Sequence, residues 1–351
     1  PVASRIIVPI RPGGDGPPLF FVHDGNGETL LYRTLALALD PGRPVLGLQP
    51  LQQVDGRYVH TTIAEMAACY VQQVRTIQPE GPYFLTGLCA GGVIAFEMAR
   101  QLQDAGQTTA FVGIIDAADV HASERRFRIA RDRLNRFVGS LAGPAGSDVP
   151  VHRRIGSALP TILRKAVNLA KWEMQSRLNR RRSRQRVQAL RDGGPREDAG
   201  PNDFLNIDFL PLYEVAHRQH QPTGQFEGGD VVLFRGLKGD GSVADIPYIE
   251  KFSDPLFGWA PRTRETIVSH DIPGGHASLL QEPHVKSLAL AMREALRRAH
   301  ARYEAARATT TASRGSPLTP DIAARSSGVK EESPAAPTSV AAPVAASTRP
   351  N

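Results

Sequence analysis

The residues with the clearest chemical potential lie in Gly87-Leu88-Cys89-Ala90-Gly91, a G-x-nucleophile-x-G pattern. It sits between a segment that reads as a strand, Tyr83 to Thr86, and one that reads as a helix ending near Ala105. A sharp strand-to-helix turn of this kind lifts a nucleophile above a sheet edge, and small neighbours keep the turn clear of strand and helix. Cys89 then stands at a helix N-terminus, where free N–H groups and the helix dipole favour a thiolate. The N–H of Ala90 is expected to face the site of a developing oxyanion. The competing reading, a buried cysteine in a turn of small residues, lacks a reason for the strand–helix context. Cys69 has no glycine turn and no evident base beside it, and it reads as incidental.

A nucleophile needs a base and a group to orient it, and in a fold of this kind they follow in the order nucleophile, acid, histidine. Of ten histidines, His276 is the expected base. It lies in Pro273-Gly274-Gly275-His276, a loop after a late strand that can return over the sheet edge. His270 and His284 are the alternatives. For the acid, Asp116 closes the strand Thr109 to Asp116 at the carboxyl edge, where open α/β sheets place ligands. Asp240, in the loop after the strand Val231 to Arg235, is the second choice and Asp119 the third. A second oxyanion donor is expected from His23-Asp24-Gly25-Asn26-Gly27, and Gly25 N–H is the choice. His23 and Asp24 are expected to shape that loop.

The elements that must position these groups alternate in type. Arg5 to Ile10, Pro18 to Asp24 and Val45 to Leu48 read as strands, and Thr29 to Leu39 as a helix. Thr62 and Glu65 have capping-box spacing ahead of a helix with apolar residues from Ile63 to Ile77, and Pro79 follows. Later strands are expected at Val231 to Arg235 and Thr266 to Asp271, with a last amphipathic helix from Pro283 to about Tyr303. The class is α/β: a mostly parallel sheet flanked by helices. Between about residues 120 and 206 the alternation stops and an Arg-rich, partly helical insertion is expected. Residues 1–306 form the expected domain. Residues 307–351 are rich in Ala, Pro, Ser and Thr, and read as a disordered tail or a linker toward a further domain.

Composition narrows the possibilities. The chain has 351 residues, is 41% hydrophobic and 22% charged, and contains no apolar run long enough for a membrane span. Two cysteines exclude a disulfide scaffold and a cysteine-based structural zinc site, and fit a reducing, cytoplasmic compartment. Pro1 and the polar residues after it read as a segment of a longer polypeptide without a signal peptide. The net charge of +7 comes from one region: residues 121–200 hold 19 Lys/Arg against 7 Asp/Glu. Its densest run, Arg180 to Arg186, reads first as a solvated helix face. An acidic docking partner is the next reading, and nucleic acid is unsupported because no aromatic residues interleave the charges. No phosphate loop, metal-ligand spacing or dinucleotide fingerprint is present, so no bound cofactor is expected.

The chain resembles the thioesterase domains of nonribosomal peptide and polyketide synthases. The resemblance rests on PLFFVHDGNGETLLYRTLALAL, GPYFLTGLCAGGVIAFEMARQL, TAFVGIIDAAD, DVVLFRG and DPLFGW followed by IPGGHASLLQEPHV, spread from Pro18 to about Arg297. It implies an α/β-hydrolase fold with a lid insertion and a Cys89/Asp116/His276 triad. It also implies release of an acyl or peptidyl chain from the phosphopantetheine arm of a carrier protein, by hydrolysis, cyclisation or transfer to an amine. Two departures stand out. Cys89 replaces the family's usual serine, and HDGNG stands where a proline often follows the histidine. A stand-alone cysteine hydrolase of dienelactone type and a catalytically silent interaction domain are the competing readings.

Overall fold

Short apolar runs separated by Gly and Pro give strands, and longer stretches with apolar residues every third or fourth position give helices. In the computed structural model these become β1 (Ile7–Arg11), β2 (Leu19–Val22), α1 (Arg33–Ala38), β3 (Val45–Leu48) and α2 (Ile63–Ile77). There follow β4 (Tyr83–Leu88), α3 (Ala90–Asp104), β5 (Thr109–Ile115), α4 (Phe209–Gln219), β6 (Asp230–Gly236), α5 (Tyr248–Lys251), β7 (Val268–Ile272) and α6 (His284–Arg314). The structure describes residues 5–52, 58–124 and 209–314, with helical residues 171, 174–175, 178, 181–185 and 187–188.

The strands form one seven-stranded sheet in the order β1-β3-β2-β4-β5-β6-β7. Only β1 runs antiparallel to its neighbour, and every other pairing is parallel. Alternation along the strands builds a core on each face. Phe20, Val22, Leu85 and Leu233 pack on the side of α2, α3 and α4, whereas Leu19, Phe21, Phe84 and Val232 pack on the side of α1 and α6. A sheet buried on both faces explains why its central strands read as continuous apolar runs.

Local signals decided several boundaries. Thr62 Oγ1 accepts the Glu65 N–H, and the Glu65 carboxylate accepts the Thr62 N–H, so the expected capping box starts α2. Several expected boundaries shift, the strands near residues 5, 18 and 266 by one or two residues at their starts. β4 extends through Leu88, leaving Cys89 alone to make the bend. The early helix begins as a 3-10 turn at Leu30–Tyr32, followed by α1. The last helix runs through Arg314, past the expected ends at Tyr303 and 306, because residues 304–314, with four Ala and two Arg, hold no Gly or Pro.

By its contacts the chain divides into Pro1–Ala308 and Thr309–Asn351. The expected linker beyond residue 314 lies outside the described residues, as does most of the expected lid at 120–206. Within that lid, Arg181, Arg182 and Arg184 are exposed on a helix, while Val187 is buried in the core. That pattern fits a solvated face.

Candidate active site

β4 and β5 lie side by side at the centre of the sheet, and both end in a residue whose backbone is driven into the left-handed region. Cys89 has φ 53° and Asp116 has φ 39°. Both are unfavourable for a residue with a Cβ and are held by surrounding bonds. Cys89 N–H donates to Ile115 O at 3.0 Å, and Asp116 N–H to Phe234 O at 2.7 Å. The glycines of the turn have a steric basis. A Cβ on Gly91 would strike the Val22 and His23 carbonyls, and one on Gly87 would strike the Gly91 backbone.

The fully buried Asp116 carboxylate accepts the Gly236 N–H at 3.1 Å and the Tyr248 N–H at 3.3 Å. It also accepts the His276 Nδ1–H at 2.7 Å. This fixes the imidazole's tautomer and leaves Nε2 for another partner. Burial disfavours the imidazolium, but the hydrogen bonds and negative charges of Asp116 and Cys89 outweigh it and raise His276 to about 9. Burial likewise opposes the Cys89 thiolate. Hydrogen bonding and charge from His276, then the Tyr248 hydroxyl and the Ala90 N–H, reverse that effect and lower the thiol below its ordinary value. The two groups therefore favour a thiolate–imidazolium pair.

The early loop stands beside the bend. Asp24 Oδ1 accepts the N–H groups of Asn26 and Glu28, fixing the turn. His23 is fully buried, and burial drives it down to about 4. Its Nδ1–H donates to the Asp24 carbonyl at 2.7 Å, so its Nε2 accepts from the Tyr70 hydroxyl at 2.9 Å. His23 and Asp24 thus shape the loop. Gly25 is buried, and its N–H meets no acceptor among the described residues. Leu210 of α4 lies so close that a Cβ on Gly25 would meet its Cδ1 at 3.0 Å.

The alternative acids and bases are engaged elsewhere. Asp240 caps the N–H of Ser242 at 2.7 Å in an exposed loop. Asp119 is buried against His121 Nδ1 at 2.8 Å and Arg262 Nε at 3.3 Å. His270 stacks on Phe234, and His284 packs close to Gly274. Cys69 is half-buried at the margin of the core, where burial raises its thiol.

Two residues at the site were not singled out from sequence. Asp245 accepts from Ala277 N and Ser278 N, each at 2.7 Å, and from Ser278 Oγ at 2.9 Å, which fixes the loop that carries His276. Tyr248 places its hydroxyl 3.4 Å from Cys89 Sγ and stacks its ring on His276, centroids 4.6 Å apart and planes 2° from parallel. Neither lies in a periodic or motif-like stretch. The DPLFGW segment supports the same region from behind: Asp254 caps Leu256 and Gly258, and Trp259 Nε1 donates to Ala117 O at 2.8 Å.

Residues 17–296 match the thioesterase domain family, well over half of the chain. The chain belongs to the thioesterase domain family. This thioesterase domain is 27% identical to atromentin synthetase of Suillus grevillei over 80% of its own length and 27% of that protein. It is 37% identical to malpinin synthetase of Mortierella alpina over 32% of its length and 1% of that protein. A crystallised four-domain nonribosomal peptide synthetase shares the fold, with a TM-score of 0.50 and 24% identity over 82% of this chain and 20% of that one. The thioesterase domain spans about a quarter or less of the curated relatives it matches. The family favours the thioesterase reading over the dienelactone-type hydrolase. Among the described residues no group of three His, Cys, Asp or Glu could hold a metal, and no helix is long and apolar enough to cross a membrane.

Proposed function

We propose that this domain releases an acyl or peptidyl chain from the phosphopantetheine thioester of a carrier domain, using Cys89 as nucleophile, His276 as base and Asp116 as its orienting acid. The observation that carries the reading is the buried Asp116 carboxylate holding His276, which in turn lowers the thiol of a cysteine at a strained strand-to-helix bend. The synthetase relatives support a carrier domain as the source of the chain.

The Cys89 thiolate attacks the thioester carbonyl, forming a C–S bond while the carbonyl electrons move onto oxygen. The N–H groups of Ala90 and Gly25 receive that oxyanion, and Gly25 N–H has no other acceptor among the described residues. The intermediate collapses by breaking the bond to pantetheine sulfur, which takes the proton from His276. Neutral His276 then accepts a proton from water, an amine or an internal hydroxyl as that group attacks the acyl-enzyme. The sulfur of Cys89 departs as thiolate, restoring the ion pair. Exchange of one thioester for another is near balanced, and the acyl group stays more electrophilic than it would on serine. The thioester intermediate therefore suits aminolysis and ring closure as well as hydrolysis.

Intact mass after incubation with an acyl-pantetheine thioester tests this. The adduct is expected on the wild type and absent from Cys89→Ala, and an adduct that survives the substitution overturns the assignment. Product analysis with and without an added amine identifies the acceptor.

A further inference from the structure

The contacts of Tyr248 reach all three residues proposed for the reaction. Its hydroxyl lies 3.4 Å from Cys89 Sγ, its ring is parallel to His276, and its backbone N–H donates to the Asp116 carboxylate. α5 supplies the residue, and Lys251 of the same short helix sets its ammonium 4.7 Å from the centre of the Tyr248 ring. An aromatic residue filling space beside an active site has no need to aim its one polar atom at the reacting sulfur.

We propose that Tyr248 is a catalytic residue, its phenol donating a hydrogen bond to Cys89 Sγ in the free enzyme and again as that sulfur leaves the acyl-enzyme. The proposal rests on Cys89 being the nucleophile and adds a specific device for a sulfur leaving group. Burial, reinforced by the charge of Cys89, raises the phenol well above its ordinary value, so its proton stays in place and it acts as a donor. Among the described residues, His276, Tyr248, Tyr213, Tyr32, Lys251 and Asp116 are the titratable groups around this sulfur. Of these, the Tyr248 hydroxyl lies within hydrogen-bond distance of it, and His276 does most to lower its pKa. In the release step the acyl C–S bond breaks and its electron pair returns to Sγ. The attacking group's proton goes to His276, while Tyr248 keeps its own proton and shortens its bond to the developing thiolate. The parallel stack fixes the imidazole plane during both proton transfers.

The test uses Tyr248→Phe, which removes the hydroxyl and keeps the ring. It is made in a Cys69→Ser background so that Cys89 is the one thiol left in the chain. Iodoacetamide alkylation across pH is expected to show its midpoint rising by about one unit, because a hydrogen bond to a charged group is worth roughly that much. The acyl-Cys89 adduct is expected to persist about tenfold longer, and as its release limits turnover kcat and KM are expected to fall together. Tyr248→Leu, which also removes the stack, is expected to lower kcat further. An unchanged midpoint or an unchanged adduct lifetime for Tyr248→Phe overturns the proposal, even if turnover falls. If no adduct forms on the wild type, the release reading fails. The alkylation midpoint then decides by itself whether the phenol acts on the sulfur.

Discussion

At the scale of single residues, the site depends on opposing shifts of two buried groups. His276 is raised to about 9 and Cys89 is lowered, so alkylation of Cys89 should reach a plateau between the two values and step up again near pH 9. Stability follows by linkage. A raised His276 stabilises the fold fully below its ordinary 6.5 and loses that contribution as pH climbs to about 9. A lowered Cys89 contributes above its ordinary 9 and loses that contribution as pH falls through the lowered value. The two trends oppose each other between 6.5 and 9. Denaturant midpoints of the wild type should therefore vary little there, whereas those of Cys89→Ala should fall as pH rises. Asp116→Asn keeps the shape but weakens the charge that orients His276, and kcat should drop on the order of 10³-fold with the fold intact by circular dichroism. The sequence left Asp116, Asp240 and Asp119 in competition because each follows a strand at the same sheet edge. The proposed choice of Asp116 is supported by its left-handed backbone, which turns its carboxylate toward Gly236, Tyr248 and His276.

At the scale of elements, the glycine turn and the late loop place the sulfur and the imidazole. Gly91→Ala puts a methyl group against the Val22 and His23 carbonyls, and overpacking at such a contact costs about 1–3 kcal/mol. Its Tm should fall by several degrees, with a larger loss of activity because both the bend and the early loop must shift. Asp245→Ala leaves the N–H groups of Ala277 and Ser278 without their acceptor. The expected result is a kcat reduced at least tenfold while Cys89 remains alkylatable, since the loop rather than the nucleophile is disturbed. Strands, helices and the bend were legible because apolar runs, the Thr62/Glu65 box and the glycine spacing are local signals. Asp245 and Tyr248 were not legible, since their partners at Ser278 and Asp116 lie 33 and 132 residues away in the chain. Nothing within their own segment marks them.

At the scale of the whole molecule, charge and connectivity have separate consequences. If the carrier domain of the proposed function docks on the Lys/Arg excess of residues 121–200, its steering by charge weakens with ionic strength. Turnover of a carrier-borne thioester should fall as salt rises from 50 to ~300 mM, while turnover of a small pantetheine thioester should change little. A parallel sheet joins segments that are remote in sequence, and here the sulfur leaves β4 while the imidazole follows β7, 187 positions later. A ribosome making this chain exposes the cysteine long before the histidine exists. Until β7 pairs with β6, that thiol lacks the neighbouring imidazole that lowers its pKa. Completion of the last strand is thus the event that brings the imidazole beside the sulfur.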